Sequence, residues 1–320
     1  MSTIISSVPR LQYPFPDLKN AHADRIEAAT KQWLTEEYGS LPYDFQTKQK
    51  KYKYWETNVG HMGARMYPVA DFQQLTPICR FLLWGLSNDD YYEDCTMSQL
   101  QTLRERAVAI LKGYPLETTD NELFNQLRLQ RNEMLDLMPD YWMNRYTESI
   151  DRGFEGMQLE APYKATMQYP SVADYMAIRE KAVLVYPLID LVELQIGAAL
   201  PDDIFYHPHI QRISALVCRI LAWCNDYFSV KKERGKDVMN LILVIEAEEK
   251  LTLEQAYMKA IAIHDQDVAA FIRLRDNLPE HFGEFKPMVE NFIYHLGLLI
   301  SGHKSWYEKD TLRYKVKDNN

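Results

Sequence analysis

Residues 213–233, ISALVCRILAWCNDYFSVKKE, join an apolar run to a polar stripe, and this stretch decides how the rest of the chain is interpreted. The apolar run is typical of a buried helix. Asn225, Ser229 and Glu233 follow at i, i+4 and i+8, so they share one helix face. Their amide, hydroxyl and carboxylate oxygens are hard ligands that suit Mg²⁺. A capped, solvated helix end is the alternative, although N-D-x-x-S-x-x-K-E is long for a chance match.

Helical periodicity continues through nearly the whole chain and predicts an all-α fold. Pro77 indicates a kink or a helix start, Pro139 a bend or a split, and Pro187 a break in the helix that Ser171 caps. The predicted helices are 20–37, 71–88, 98–112, 119–146, 171–185, 188–200, 203–233, 252–278 and 287–307. The sequence shows no convincing strand pair and no linker rich in Gly, Ser or Pro, so one domain is expected to span residues 1–320.

Composition excludes several classes of protein. The chain has 320 residues but only 12 glycines, and no two of them are spaced G-x-G. Gly235-Lys236 is followed by Asp237, so neither a dinucleotide-binding fingerprint nor a Walker loop occurs. With 36 Lys and Arg against 45 Asp and Glu, the net charge of −9 disfavours a nucleic-acid partner.

Cysteine usage and the N-terminus bear on the cellular compartment. The four cysteines form no C-x-x-C pair, which disfavours a zinc ribbon or a redox pair, and we expect reduced packing residues. The N-terminal residues lack the apolar core of a signal peptide. No stretch approaches 18 uncharged apolar residues, so no membrane span is expected, and the predicted location is cytoplasmic.

A second acidic motif, NDDYYED, closes the apolar helix that begins near residue 71. Its carboxylates are Asp89, Asp90, Glu93 and Asp94. They repel one another, and the negative end of the helix dipole adds to that repulsion, so a cation should offset them. Mg²⁺ is a suitable cation. A solvated acidic helix end is the alternative, because D-D-x-x-E also occurs by chance.

Arg179 and the pair Arg313-Tyr314 carry little information when each is taken alone. A lone arginine on a mixed helix face is usually solvated. Together with the two acidic motifs, in this order, they resemble the class I terpene synthases of the microbial type. Arg179 falls 46 residues before Asn225, where that family has its pyrophosphate-sensing arginine. Tyr67-Pro68-Val69-Ala70 also resembles the segment that leads into the family's aspartate-rich helix, and the resemblance covers residues 1–320.

The resemblance implies a fold, a reaction and roles for the matching residues. The implied fold is the single-domain class I terpenoid synthase bundle of helices around a central cavity. The implied reaction is the Mg²⁺-dependent cyclisation of a linear prenyl diphosphate with release of diphosphate. The implied ligands of three Mg²⁺ ions are Asp89, Asp90, Glu93 or Asp94, Asn225, Ser229 and Glu233. The implied donors to the diphosphate are Arg179, Lys232, Arg313 and Tyr314.

The sequence departs from the family pattern at one position and leaves another ambiguous. The family often has a small effector residue, commonly Gly, near the helix break that follows the sensing arginine. This chain has Glu180-Lys181-Ala182-Val183 there, so the effector carbonyl could belong to Ala182 or Val183. The aspartate-rich motif offers two registers, one ending at Glu93 and the other at Asp94.

The carbocation that such a reaction forms requires a dry cavity with aromatic walls, because ring faces attract cations. The candidate wall residues are Phe81, Trp84, Trp223 and Trp306, and ordinary core packing is the alternative for each. Farnesyl diphosphate is the favoured substrate and geranylgeranyl diphosphate the second choice. A prenyl elongation synthase would need two D-D-x-x-D motifs, and a helical scaffold would leave both acidic motifs without a purpose. A homodimer is compatible with the sequence.

Overall fold

The structure is a computed structural model that describes residues 8–38, 54–92 and 95–314. Within these ranges the regular secondary structure is helical, which confirms the all-α prediction. The α-helices are α1 Ala23–Glu36, α2 Val59–Met66, α3 Phe72–Tyr92, α4 Met97–Leu111, α5 Glu122–Leu135, α6 Asp140–Thr166, α7 Val172–Ala182, α8 Val185–Ile196, α9 Asp202–Phe205, α10 Pro208–Glu233, α11 Leu241–Glu249, α12 Leu253–Asp276 and α13 Lys286–Ser305. A 3₁₀ segment, Glu280–Phe285, precedes α13, and a π-helical turn, Trp306–Asp310, follows it.

Side-chain caps start several of these helices. Ser171 accepts a hydrogen bond from the Asp174 amide at the start of α7, as the sequence predicted. Thr252 and Gln255 form a reciprocal capping box at the start of α12, which confirms the second predicted cap. Such caps satisfy amide groups that have no partner inside the first turn.

The predicted break at Pro187 is wrong by a few residues. The helix ends at Ala182, and Leu184 takes a left-handed conformation with φ of 54°. Pro187 is the third residue of α8, where its missing N–H costs nothing because first-turn amides lack helical acceptors. Packing favours the break here. A Cβ on Gly156 of α6 would lie 2.2 Å from the Ala182 nitrogen, so glycine lets α6 touch the broken backbone.

Other boundaries also differ from the predicted ones. Pro139 splits the predicted 119–146 helix, because it is the N-cap of α6, whereas Pro77 lies inside α3. The predicted 203–233 helix is divided into α9 and α10 at residues 206–207. Helices α2 and α11 were not predicted. The first is only eight residues long and contains two glycines, which are poor helix formers, and the first half of the second is apolar on all sides and so shows no amphipathic pattern.

Helices α3, α6, α8, α10 and α13 surround a central cavity, with the α7–α8 break at its side. Apolar side chains from Val8 to Tyr307 form one hydrophobic core around these helices. Cys79, Cys218 and Cys224 are buried in it, and no cysteine forms a disulfide. Among the described residues, no helix is both long enough and apolar enough to span a bilayer.

A group of ionisable side chains from α6 and α8 is buried in the interior of the bundle. Arg145 contacts Glu193 at 3.2 Å, and the Trp142 indole and the Leu200 amide also donate to that carboxylate. Asp190, one turn earlier on α8, is 1% exposed. Burial raises the pKa of Asp190 to about 8. The carboxyl group is therefore protonated in the folded protein at neutral pH, whereas it ionises in the unfolded chain.

This shift predicts a pH dependence of stability that Asp190→Asn removes. Between the ordinary pKa of 3.8 and about 8, the folded state holds a proton that the unfolded state has lost, so stability falls as pH rises. The free energy of unfolding of Asp190→Asn, minus that of wild type, should therefore be more positive at pH 8 than at pH 5. Urea unfolding of both proteins at the two pH values measures this difference. A difference that does not change with pH would contradict the buried, protonated carboxyl group.

Candidate active site

At the acidic end of α3, the Asp90 carboxylate lies next to a cationic side chain of the protein, Arg313. Tyr54 donates a hydrogen bond of 2.6 Å to Asp90 Oδ2, and Arg313 Nη2 lies 3.6 Å from Asp90 Oδ1. Asp89 lies one residue earlier and lines the central cavity. Glu93 and Asp94 lie outside the described residues, so the choice between their two registers stays a prediction.

The end of α10 forms a hydrogen-bonded group of oxygen donors. Ser229 Oγ donates to Glu233 Oε2 at 2.9 Å, and Asn240 Nδ2 donates to the same oxygen at 2.9 Å. Burial, followed by the nearby charge of Asp226, raises the pKa of Glu233. Asn225 lies two turns earlier, and its Nδ2 donates to the Tyr307 hydroxyl at 2.7 Å, which fixes the orientation of the amide. The predicted face of α10 is therefore pre-arranged by Asn240 and Tyr307.

Asp226 is the hub of this region, although the sequence assigned it no role. Its buried carboxylate accepts hydrogen bonds from the Tyr175 hydroxyl, the Leu241 amide and Arg179 Nη2, the latter two at 3.0 and 3.2 Å. These partners belong to α7 and α11. Asp226 thus holds three helices together directly beside Asn225.

The Arg179 side chain is only 15% exposed and lines the cavity. Its Nη2 donates to Asn225 Oδ1 at 3.0 Å, and its Nη1 lies 3.6 Å from Glu160 Oε1. Burial opposes the charge, but the negative groups beside it, including Asp226 and Glu160, raise the pKa of Arg179 above its usual value. Its Nε has no hydrogen-bond partner among the described residues. The guanidinium is therefore a permanent cation with donor capacity left over.

The pair Arg313-Tyr314 follows the last helical turn and returns to the same cavity. Arg313 is also buried, and its Nε and Nη1 lack hydrogen-bond partners within the described ranges. The Tyr314 ring packs 5.0 Å from the Tyr307 ring, and Lys232 Nζ lies 5.6 Å from the Tyr314 centroid. Buried donors without partners are costly, so this group fits an anionic ligand.

One cavity brings together residues from distant parts of the chain. The predicted site residues that line it are Asp89, Arg179, Asn225, Lys232, Glu233, Arg313 and Tyr314. Asp90 and Ser229 do not line it, but they contact Arg313 and Glu233, which do. The predicted acidic motifs and the predicted diphosphate donors therefore face one space.

The wall predictions divide into two outcomes. Phe81 and Trp306 line the cavity. Trp84 and Trp223 do not line it. Trp84 packs into the core instead, and its ring centroid lies 6.4 Å from that of Phe154. The part of α3 that lines the cavity includes Phe81, Leu82 and Leu86. Trp223 points towards α12, where its indole donates to Asp267 at 2.9 Å. The remaining wall is mainly aliphatic and includes Met62, Leu82, Leu86, Met157, Leu188 and Leu221.

Two cavity residues were missed by the sequence analysis. Lys164 of α6 lies 3.0 Å from Glu160, whose charge, with those of Asp89 and Asp237, raises the pKa of Lys164 despite its burial. In the sequence it resembles any solvated lysine of a polar helix face. His303 is buried in the wall, and burial lowers its pKa to about 3, so this imidazole is neutral.

The donor set fits Mg²⁺ in a particular way. Within the described ranges, no three His, Cys, Asp or Glu side chains gather as a metal site. The α10 set consists instead of one carboxylate, one hydroxyl and one amide, all hard oxygen donors. So few negative charges favour a metal that arrives with an anion, and the cationic side chains of Arg179 and Arg313 line the same cavity. The residues therefore fit a magnesium–diphosphate ligand.

Comparison with known proteins points to one family. The profile described as "Terpene synthase family 2, C-terminal metal binding" matches residues 80–270. A protein of Roseiflexus castenholzii, (+)-T-muurolol synthase ((2E,6E)-farnesyl diphosphate cyclizing), is 30% identical over 93% of this chain and 91% of its own. Germacrene A synthase of Nostoc punctiforme is 26% identical over 93% and 92% of the two chains.

Solved structures agree in fold. The linalool/nerolidol synthase of Streptomyces clavuligerus superposes with a TM-score of 0.83 at 19% identity, covering 93% of this chain and 100% of that one. A crystal structure of a-eudesmol synthase gives 0.83 at 17% identity over 94% and 99%. At these identities the likeness concerns the fold alone, and it confirms the predicted helical bundle.

Because Asp226 joins three helices, Asp226→Asn should strongly lower the free energy of unfolding. The variant leaves Arg179, whose side chain is only 15% exposed, beside a neutral amide, and breaking one side of a largely buried ion pair costs about 3 kcal/mol. Urea unfolding measures the loss. Glu246→Gln is the control, because its ion pair with the half-exposed Arg234 is worth under about 1 kcal/mol. Equal, small losses in both variants would contradict the role of Asp226.

Proposed function

Because this chain belongs to terpene synthase family 2 and is a terpene cyclase, we propose that it ionises farnesyl diphosphate and cyclises the carbocation to a sesquiterpene. The substrate rests on the relative from Roseiflexus castenholzii, whose name states that it cyclises farnesyl diphosphate. Membership of the family disfavours the two rivals, a prenyl elongation synthase and a helical scaffold.

One observation carries the proposal: cationic side chains and oxygen ligands line the same cavity as an apolar wall. Arg179, Lys232, Arg313 and Tyr314 supply donors for a diphosphate, and Lys164 adds a further cation. The leaving group gains negative charge as the allylic bond breaks, so fixed donors stabilise it more than they stabilise the bound substrate.

Mg²⁺ would be held by Asp89 and Asp90 on one side and by Asn225, Ser229 and Glu233 on the other, with Glu93 or Asp94 completing the first set. Three ions are expected. When bound, they would supply positive charge that favours departure of the diphosphate.

The rest of the cavity would guide the cation. Phe81, Trp306 and Tyr307 offer ring faces, which stabilise a desolvated cation by up to about 2 kcal/mol without trapping it. The aliphatic wall residues exclude water, which would otherwise quench the cation early. His303 is neutral and therefore adds no repulsive charge.

The helix break supports Val183 as the effector carbonyl. In a continuous helix the Val183 carbonyl would accept a hydrogen bond from residue 187. That residue is Pro187, which has no N–H, so the carbonyl has no helical i+4 donor. Val183 lines the cavity beside Arg179, so its carbonyl dipole can stabilise the developing allylic cation.

The decisive experiment incubates the purified protein with Mg²⁺ and, separately, geranyl, farnesyl and geranylgeranyl diphosphate. Gas chromatography of the hexane layer and a diphosphate assay should detect a cyclic sesquiterpene and free diphosphate from farnesyl diphosphate. A product from geranylgeranyl diphosphate alone would replace this substrate with the longer one. No volatile product and no diphosphate from any substrate would refute the proposal. A longer prenyl diphosphate, formed only with isopentenyl diphosphate, would indicate elongation.

The α10 ligand set predicts the effect of Glu233→Ala. Loss of the carboxylate should lower turnover roughly a hundredfold or more, the scale expected when one transition-state contact is removed. The melting curve should stay close to wild type, because Glu233 is bonded to polar side chains at a cavity rim. Glu249→Gln, in an exposed ion pair on α11, is the control and should keep full activity. Normal turnover of Glu233→Ala would rule out its metal role.

A further inference from the structure

We propose that Asp310 is a positioning residue for the diphosphate site: its carboxylate latches the segment that carries Arg313 and Tyr314 onto the N-terminal part of the fold. The inference rests on the proposed function for its catalytic consequence. Asp310 does not line the cavity, so any effect on the bound diphosphate must pass through Arg313 and Tyr314.

The segment needs such an anchor because it has no helix of its own. Helix α13 ends at Ser305, the π-helical turn ends at Asp310, and Thr311 is extended. Backbone contacts then attach it to residues 56–58. The Leu312 amide donates to the Glu56 carbonyl at 2.8 Å, and the Asn58 side chain donates to the Asp310 carbonyl at 2.7 Å.

The carboxylate of Asp310 joins two cationic side chains and one imidazole from two distant segments. Arg65 Nε donates to Oδ2 at 2.8 Å, Lys19 Nζ donates to Oδ1 at 2.9 Å, and His61 Nδ1 lies 3.5 Å from Oδ1. Burial opposes its ionisation, but Lys19 and Arg65 outweigh burial and lower the pKa of Asp310. We call Asp310, Lys19, His61 and Arg65 the Asp310 latch.

The latch and the cavity hold opposite ends of the same short segment. Three residues beyond Asp310, Arg313 Nη2 lies 3.6 Å from Asp90, which also accepts a hydrogen bond from Tyr54. The Asp310 side chain is only 7% exposed, whereas that of Asp24, which also contacts His61, is 99% exposed. Asp24 therefore gives a matched control that removes an acidic group from the same neighbourhood without touching the segment.

The test compares Asp310→Asn with Asp24→Asn by two measurements. Amide hydrogen exchange without ligand should be about tenfold faster at residues 311–314 in Asp310→Asn and unchanged in Asp24→Asn. Affinity for inorganic diphosphate with Mg²⁺ should fall about tenfold in Asp310→Asn alone. In an Arg313→Ala background, Asp310→Asn should cause little further loss, because the positioned group is already absent.

Three results would overturn the inference: unchanged exchange at residues 311–314, unchanged diphosphate affinity, or an equal loss in the Arg313→Ala background, which would indicate a general structural effect. If Asp310→Asn does not fold, Lys19→Gln removes one cation of the latch and should shift both measurements in the same direction by less. A wild-type protein that neither binds diphosphate nor turns over a prenyl diphosphate would refute the proposed function, while hydrogen exchange would still decide whether Asp310 holds the segment.

Discussion

The buried contact between Arg179 and Asp226 is the constraint on which the rest of the site depends. A buried guanidinium is tolerated only with a partner, and Asp226 provides that charge while it also binds the Leu241 amide and the Tyr175 hydroxyl. The pair therefore fixes α7, α10 and α11 against one another. Because Arg179 lies in the last turns of α7, the helix break that follows it is fixed as well, and glycines of α6 let that break pack closely.

The site that this contact positions has two halves, a set of cationic side chains and a set of oxygen ligands. Neither half is complete without a ligand. The cationic half, with Arg179 and Arg313, has buried nitrogens that lack partners among the described residues. On the oxygen side, the α10 set of Asn225, Ser229 and Glu233 has one carboxylate, which is too little negative charge to hold a divalent ion alone. A diphosphate with its metals satisfies both halves. The scarcity of glycine fits the proposed arrangement, in which side chains and metals would bind the phosphate instead of a backbone loop.

The sequence predicted what is local and periodic. The face of Asn225, Ser229 and Glu233, the acidic end of α3 and most helices follow from spacing alone. It misplaced the α7–α8 break because the position depends on a left-handed Leu184 packed against α6, not on Pro187 itself. It could not separate wall tryptophans from core tryptophans, since α3 and α10 bury more than one face. Asp310 escaped notice because its partners lie on other segments, and Lys164 escaped notice because its place in the cavity wall depends on how α6 packs.

The central claim is that the two halves hold one composite ligand. The most direct measurement is the melting temperature of the protein with Mg²⁺ alone, with inorganic diphosphate alone and with both. A ligand that binds the folded state stabilises it by RT ln(1 + L/Kd), where L is the free ligand concentration, so ligands that strengthen each other's binding raise the melting temperature by more than the sum of their separate effects. The account predicts small shifts with either one and a large shift with both. Additive shifts, or none with both present, would contradict it.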